Sequence, residues 1–154
     1  MKIFLATDHA GFEHKEILKK YLANAGHEVH DCGADKLVPG DDYVPYIVMA
    51  TRSVSADPHS KAVIFGGSGQ GEAVTANRFP GVRAAVYYGE TDNGKTMEII
   101  KLSRQHNDSN VLSIGARFVT HDEMIKAVDV WLNTPFSNDE RHVRRIKEID
   151  TLSW

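Results

Sequence analysis

Between the apolar run KAVIF (61–65) and the segment AVTANRF lies GGSGQGE, residues 66–72: four glycines, a serine and a closing glutamate. A glycine-rich turn leaves several backbone N–H groups free to point at one place, which makes a nest for negative charge. Glu72 does not suit a nest built for a triphosphate. A P-loop needs G-x-x-x-x-G-K-[ST]; Gly66 and Gly71 have that spacing, but Glu72 stands where the lysine belongs. The dinucleotide fingerprint G-x-G-x-x-G, started at Gly67, meets Glu72 at its last position. The nucleophile elbow G-x-S-x-G, started at Gly66, ends on Gln70. These residue types do suit proton abstraction from a carbon next to a carbonyl. A carboxylate base would stand beside N–H donors that stabilise the enolate it forms. A helix start also favours an ionised carboxylate through its dipole. The plainer alternative is that Glu72 only opens its helix.

Three further groups invite the same question. Asp8-His9 follows the first apolar run, as a polar pair at a strand end or as a helix cap with an incidental histidine. Gln105-His106-Asn107-Asp108 precedes the last apolar run, as a reactive histidine or as a capped turn. Arg141 and Arg145 are i, i+4 neighbours on one helix face, with Arg144 beside them. Two guanidinium groups on one face can clamp a phosphate monoester, and a solvated charged helix is the other reading. His27-Glu28-Val29-His30 is one residue short of H-E-x-x-H and lies in a strand pattern, so no metal is expected.

The elements that must position these groups alternate between β and α patterns. KIFLAT (2–7) reads as a strand and FEHKEILKKYLANAG (12–26) as a helix. In that helix Ile17, Leu18, Tyr21, Leu22 and Ala25 share a face, and Gly26 is the stop. HEVHDC (27–32) is a second strand; a polar loop through Pro39, Gly40 and Pro45 leads to a helix near 46–55, closed by Pro58. Strands follow at 61–65, 82–88 and 110–115, with helices opened by Glu72, around 95–105 and near 121–132. After Pro135, SNDERHVRRIKEID reads as a last charged helix capped by Ser137 or Asn138. Near-continuous apolar strands alternating with helices predict an α/β fold: a Rossmann-like, doubly wound sheet of five parallel strands with an added C-terminal helix. Ligands of such sheets sit at the carboxyl ends of the strands. Asp8, His9, GGSGQGE, Gly115 and Arg117 converge there, whereas His106 falls at the opposite edge. If His106 is catalytic, it must therefore enter a partner chain's site, and the protein must be an oligomer.

Composition sets the outer bounds. The 154 residues suit one domain, 1–154, without internal repeat or linker. A hydrophobic share of 42%, a charged share of 25% and a net charge of −3 are ordinary globular values that argue against a general nucleic-acid binder. The expectation is a soluble, cytoplasmic protein with no signal peptide, membrane span or disulfide. Its one cysteine, Cys32, reads as a small half-buried strand residue in a reducing compartment.

Five stretches in order resemble the type B ribose-5-phosphate isomerases, within the wider family that includes the galactose-6-phosphate isomerase subunits. They are ATDHAGFEHK (6–15), GHEVHDCGA (26–34), GGSGQGEAVTANRFPGVRA (66–84), SRQHNDSNVLSIGAR (103–117) and RHVRRI (141–146). The resemblance implies aldose–ketose isomerisation of a sugar phosphate through an enediolate, without metal or cofactor, in a homodimer or dimer of dimers with composite sites. It implies that Asp8 orients or protonates sugar oxygens and that His106 helps to open the furanose ring. Ser68 and the amides of Gly67, Gly69 and Gly71 would hold the carbonyl oxygen. His9, Arg117, Arg141 and Arg145 would hold the phosphate, and Asn107 and Tyr43 the sugar hydroxyls. One branch of the family has a cysteine base at the position of Gly66; the other has a glutamate closing the loop, which Glu72 matches as the C2/C1 proton shuttle. The segment 87–101 is longer than the usual connection, which leaves allose 6-phosphate or galactose 6-phosphate as alternative substrates. A non-catalytic phosphate- or nucleotide-binding α/β module is the alternative of another class.

Overall fold

The computed structural model describes residues 1–90 and 95–152, so part of the 87–101 segment, residues 91–94, lies outside the described residues. Five parallel strands, β1 (Lys2–Ala6), β2 (Glu28–Asp31), β3 (Lys61–Gly66), β4 (Ala84–Tyr87) and β5 (Val111–Gly115), form one sheet in the order β2-β1-β3-β5-β4. Among the described residues six α-helices connect or follow them: α1 (Phe12–Asn24), α2 (Tyr43–Ala56), α3 (Gln70–Ala76), α4 (Thr96–Gln105), α5 (His121–Asn133) and α6 (Glu140–Asp150). The expected α/β architecture is present, and its cause is visible in the central strands. Ile3, Leu5, Val63, Phe65, Leu112 and Ile114 point to one face and pack with Leu18 and Leu22 of α1, Ile100 of α4 and Trp131 of α5. Their neighbours Ala6, Ala62, Ile64 and Val111 point to the other face, against Ile47, Ala50 and Val54 of α2 and Ala76 of α3. Strands buried on both faces read as unbroken apolar runs because both halves of the two-residue alternation meet a core.

Element ends depart from the sequence expectation in instructive places. The second helix starts at Tyr43 rather than near residue 46, because Asp42 accepts a bond from the N–H of Val44 and Pro45 fits the first turn, where its missing N–H costs nothing. The last helix is capped neither by Ser137 nor by Asn138. Asn138 has φ +58, outside cap geometry, and Asp139 takes the position without a side-chain bond. Cys32 lies just past β2 and is buried rather than half-buried; burial, then the Asp31 carboxylate, pushes its thiol up to about 11, which leaves it unreactive. No helix among the described residues is long and apolar enough to cross a membrane.

The strand order reverses beside β1: β2 lies on one side of it and β3 on the other. That reversal opens a crevice at the carboxyl ends of β1 and β3, which is where Asp8-His9 and the glycine loop emerge.

Candidate active site

Thr7, just past β1, is fully buried, and its hydroxyl donates to the carbonyls of Asp8 and Phe65, at 2.9 and 3.3 Å. The two strand ends are thereby tied together at the crevice. Asp8 Oδ1 accepts from the N–H of Ala10 at 2.9 Å and caps a 3-10 turn over His9–Gly11. His9 is fixed from outside this turn, by Asp41 in the loop before α2. Asp41 Oδ1 accepts from the His9 N–H at 2.7 Å and lies 2.9 Å from Nδ1. Donor atoms of Asp8, His9 and Asp41 all lie within 4.8 Å of one another, a closeness that these hydrogen bonds account for.

The glycine loop is bound to β5 along its length. Gly66 and Gly67 accept at their carbonyls from Ala116 and Arg117, and the carbonyl of Gly69 accepts from the buried Ser113 hydroxyl at 2.6 Å. Gly69 has φ +76 and presses on the backbone of Ile114 and Gly115, a conformation and a space that admit only glycine. So held, the N–H groups of Gly67, Ser68 and Gly69 meet no acceptor among the described residues. Gly67 and Gly69 are two of the three amides expected as donors, and Gly71, the third, lies in the first turn of α3.

Glu72 is 4% exposed, and its carboxyl group lies directly over Gly66. A Cβ on Gly66 would overlap that carboxyl, so a side chain at 66 and the carboxyl of Glu72 cannot share the space. Burial raises the Glu72 pKa; its own backbone N–H offsets this in part, and the Asp8 charge adds to the rise. Burial thus works against the expected dipole-favoured carboxylate, at the start of a helix of only seven residues.

Asp8, His9, Tyr43, Gly67, Ser68, Gly71, Glu72 and Arg117 line one open cleft of about 380 Å³, together with Ala10 and Phe118. The Tyr43 hydroxyl sits against Gly71 and the Arg117 guanidinium over Gly67. The remaining candidates form a second group at the far edge of the sheet. His106, at the end of α4, stacks on the buried His142 of α6 with ring centroids 4.2 Å apart and planes 10° apart. His142 Nε2 accepts from Arg141 Nε at 3.2 Å. Arg83 and Arg104 brace the turn after His106 by gripping the two oxygens of Asp108 at 3.0 and 2.7 Å, and Asp108 itself has φ +44. Asn107, Arg141 and Arg145 are exposed. Between the two groups runs the whole of β5, whose five residues span about 16 Å at ~3.3 Å each. Sequence reasoning missed Asp41 and His142. Asp41 stands in an acidic loop beside Asp42, which is an equally good cap, and His142 reads as one more polar residue of a charged helix.

The family model "Ribose/Galactose Isomerase" matches residues 3–149. A ribose-5-phosphate isomerase B of Mycolicibacterium paratuberculosis is 38% identical over 95% of this chain and 87% of its own. A probable ribose-5-phosphate isomerase B of Mycoplasma pneumoniae is 36% identical over 96% and 91%. Among solved structures, ribose-5-phosphate isomerase B of Mycoplasma genitalium, with bound ribulose-5-phosphate, superposes with a TM-score of 0.89 at 33% identity, covering 97% of this chain and 93% of that one. The Thermotoga maritima ribose 5-phosphate isomerase superposes with a TM-score of 0.88 at 34% identity, covering 98% of each chain.

Proposed function

Because the chain belongs to the Ribose/Galactose Isomerase family, we propose that it interconverts D-ribose 5-phosphate and D-ribulose 5-phosphate, with Glu72 carrying the proton between C2 and C1. The observation that carries this reading is the Glu72 carboxyl, buried beside unoccupied backbone donors in the cleft. The carboxylate takes the proton from C2, and the C–H electron pair becomes the C1–C2 double bond of an enediolate. Its negative charge falls on O1, against the N–H groups of Gly67, Ser68 and Gly69. A proton passes from O2 to O1, with Asp8 at hand to relay it, and Glu72 returns the first proton to C1. Burial strengthens Glu72 as a base relative to an ordinary glutamate, which suits a weakly acidic C–H. His9 and Arg117 supply cationic or donor groups at the same cleft for the phosphate.

The second group, His106, Asn107, Arg141 and Arg145, completes the site only across a subunit boundary. A pentose phosphate is shorter than the ~16 Å of β5, so one molecule cannot touch both groups of one chain. Helix α6 also buries only His142 against its own chain and leaves Ile149 exposed, as is Leu152 just after it, which supports a partner there. The reading is a homodimer or dimer of dimers with sites shared between chains.

Purified protein mixed with ribose 5-phosphate should form the ketose at a rate unaffected by EDTA. Binding without turnover across a panel of pentose and hexose phosphates would instead establish a non-catalytic phosphate-binding module. Faster turnover of allose 6-phosphate or galactose 6-phosphate in that panel would move the substrate assignment to the hexose phosphate. A second expectation concerns Gly66. Gly66→Ala places a methyl group in the space of the Glu72 carboxyl and should lower kcat about 100-fold, the scale of a 1 Å misplacement of a reacting group. Steady-state kinetics together with a melting curve check it; a variant that keeps wild-type kcat would show that the base does not act from over residue 66.

A further inference from the structure

We propose that Asp41 is a positioning residue that holds the His9 imidazole in one orientation and tautomer for the substrate phosphate, a role that rests on the phosphate reading of His9 above. An ionised carboxylate can only accept hydrogen bonds, so the His9 nitrogen 2.9 Å from Asp41 Oδ1 must be the donor. The same oxygen accepts from the His9 backbone N–H at 2.7 Å, which fixes residue and ring together. Nε2 is left as the ring nitrogen free to meet a ligand. Asp8 cannot do this work, because its Oδ2 is 3.7 Å from Nδ1, beyond hydrogen-bond length. Asp8 is thereby spared for the sugar oxygens.

Nor does the fold need Asp41 as a cap, since Asp42 already serves α2. The Asp41 side chain is about 10% exposed, and the Tyr46 hydroxyl of α2 approaches it as well. A carboxylate this buried is costly unless its charge is used. When phosphate binds, the imidazole donates at both nitrogens, to Asp41 and to the phosphate, and Asp41 balances the resulting cation. The two hydrogen bonds to Asp41 also remove the ring rotation that binding would otherwise have to freeze.

The test uses Asp41→Leu, Asp41→Asn and His9→Gln, read by steady-state kinetics and by competitive inhibition with inorganic phosphate. Asp41→Leu should raise both KM for ribose 5-phosphate and Ki for phosphate about tenfold, with kcat changed less than about threefold, as expected for one charge-assisted hydrogen bond. In the His9→Gln background the same substitution should add less than about twofold, because its route is gone. Nitrogen-15 shifts of His9 should report a protonated Nδ1 in the wild type and a shift toward the Nε2–H tautomer in Asp41→Leu. Unchanged KM and Ki, or a full tenfold loss that persists without His9, would overturn the role of Asp41. An unchanged phosphate Ki in His9→Gln alone would overturn the phosphate reading itself, while the His9 nitrogen shifts still report whether Asp41 holds the ring. If Asp41→Leu does not fold, Asp41→Asn, which keeps the shape but not the charge, is read against the same outcomes at a smaller expected size.

Discussion

Glu72→Gln protein should bind inorganic phosphate as the wild type does and isomerise ribose 5-phosphate at least about 1,000-fold more slowly, within the range that one positioned general base contributes. Glutamine fills the same space over Gly66 and keeps the cleft, but it cannot accept a proton from carbon. Phosphate binding is expected to be unchanged because the proposed site assigns that contact to His9 and Arg117 and not to Glu72. A Gln variant with wild-type kcat would sink the assignment of the base. The wild-type pH profile supplies a second check. Burial raises the Glu72 pKa above its ordinary 4.5, and only the ionised form is a base, so kcat/KM should fall as pH drops through that raised value. Stability runs the other way. A carboxyl group that binds its proton more tightly folded than unfolded makes the native state the better proton binder, so stability falls as pH rises from the ordinary value through the raised one. At neutral pH the Gln variant, relieved of a buried charge, should therefore melt no lower than the wild type. A base held against its own stability is expected of a residue retained for chemistry.

What the sequence made legible followed from local rules. Val63, Phe65, Ala62 and Ile64 alternate into two cores, so β3 reads as an unbroken apolar run, and such runs alternating with helix-period segments leave few folds to choose from. The convergence of Asp8, His9, the glycine loop and Arg117 followed from the same topology, because strand carboxyl ends share one edge. The features that stayed hidden depend on contacts between distant segments. No spacing reports that the carboxyl of residue 72 lies over the Cα of residue 66, or that burial there raises its pKa. Asp41 meets His9 across 32 positions, and its neighbour Asp42 carries the same side chain to a different task. His142 hides in a helix whose other residues are half-buried or exposed, yet it joins Arg141 to the ring of His106.

That last junction sets up the strongest test of the composite site. Chains carrying Glu72→Gln and chains carrying His106→Asn should each be nearly inactive alone, for different reasons: the first lacks the proposed base, the second the group proposed to open the furanose ring. In a mixed dimer, one site combines both defects, and the other combines the intact Glu72 of one chain with the intact His106 of its partner. Random reassortment of equal amounts puts half of the chains into mixed dimers with one good site of two, so activity should return to about a quarter of wild type. Sites confined to one chain admit no such recovery, because every chain in the mixture carries a defect. The ~16 Å of β5 between the two groups is what makes recovery the expected result. Co-refolding the two variants, confirming mixed dimers by mass, and assaying ketose formation decides it, and a mixture no more active than its parts would overturn the shared site. Exchanging His106→Asn for Arg145→Ala in the same design asks the same of the phosphate clamp. Recovery there too would place α6, which buries a single residue against its own chain, in the active site of its neighbour.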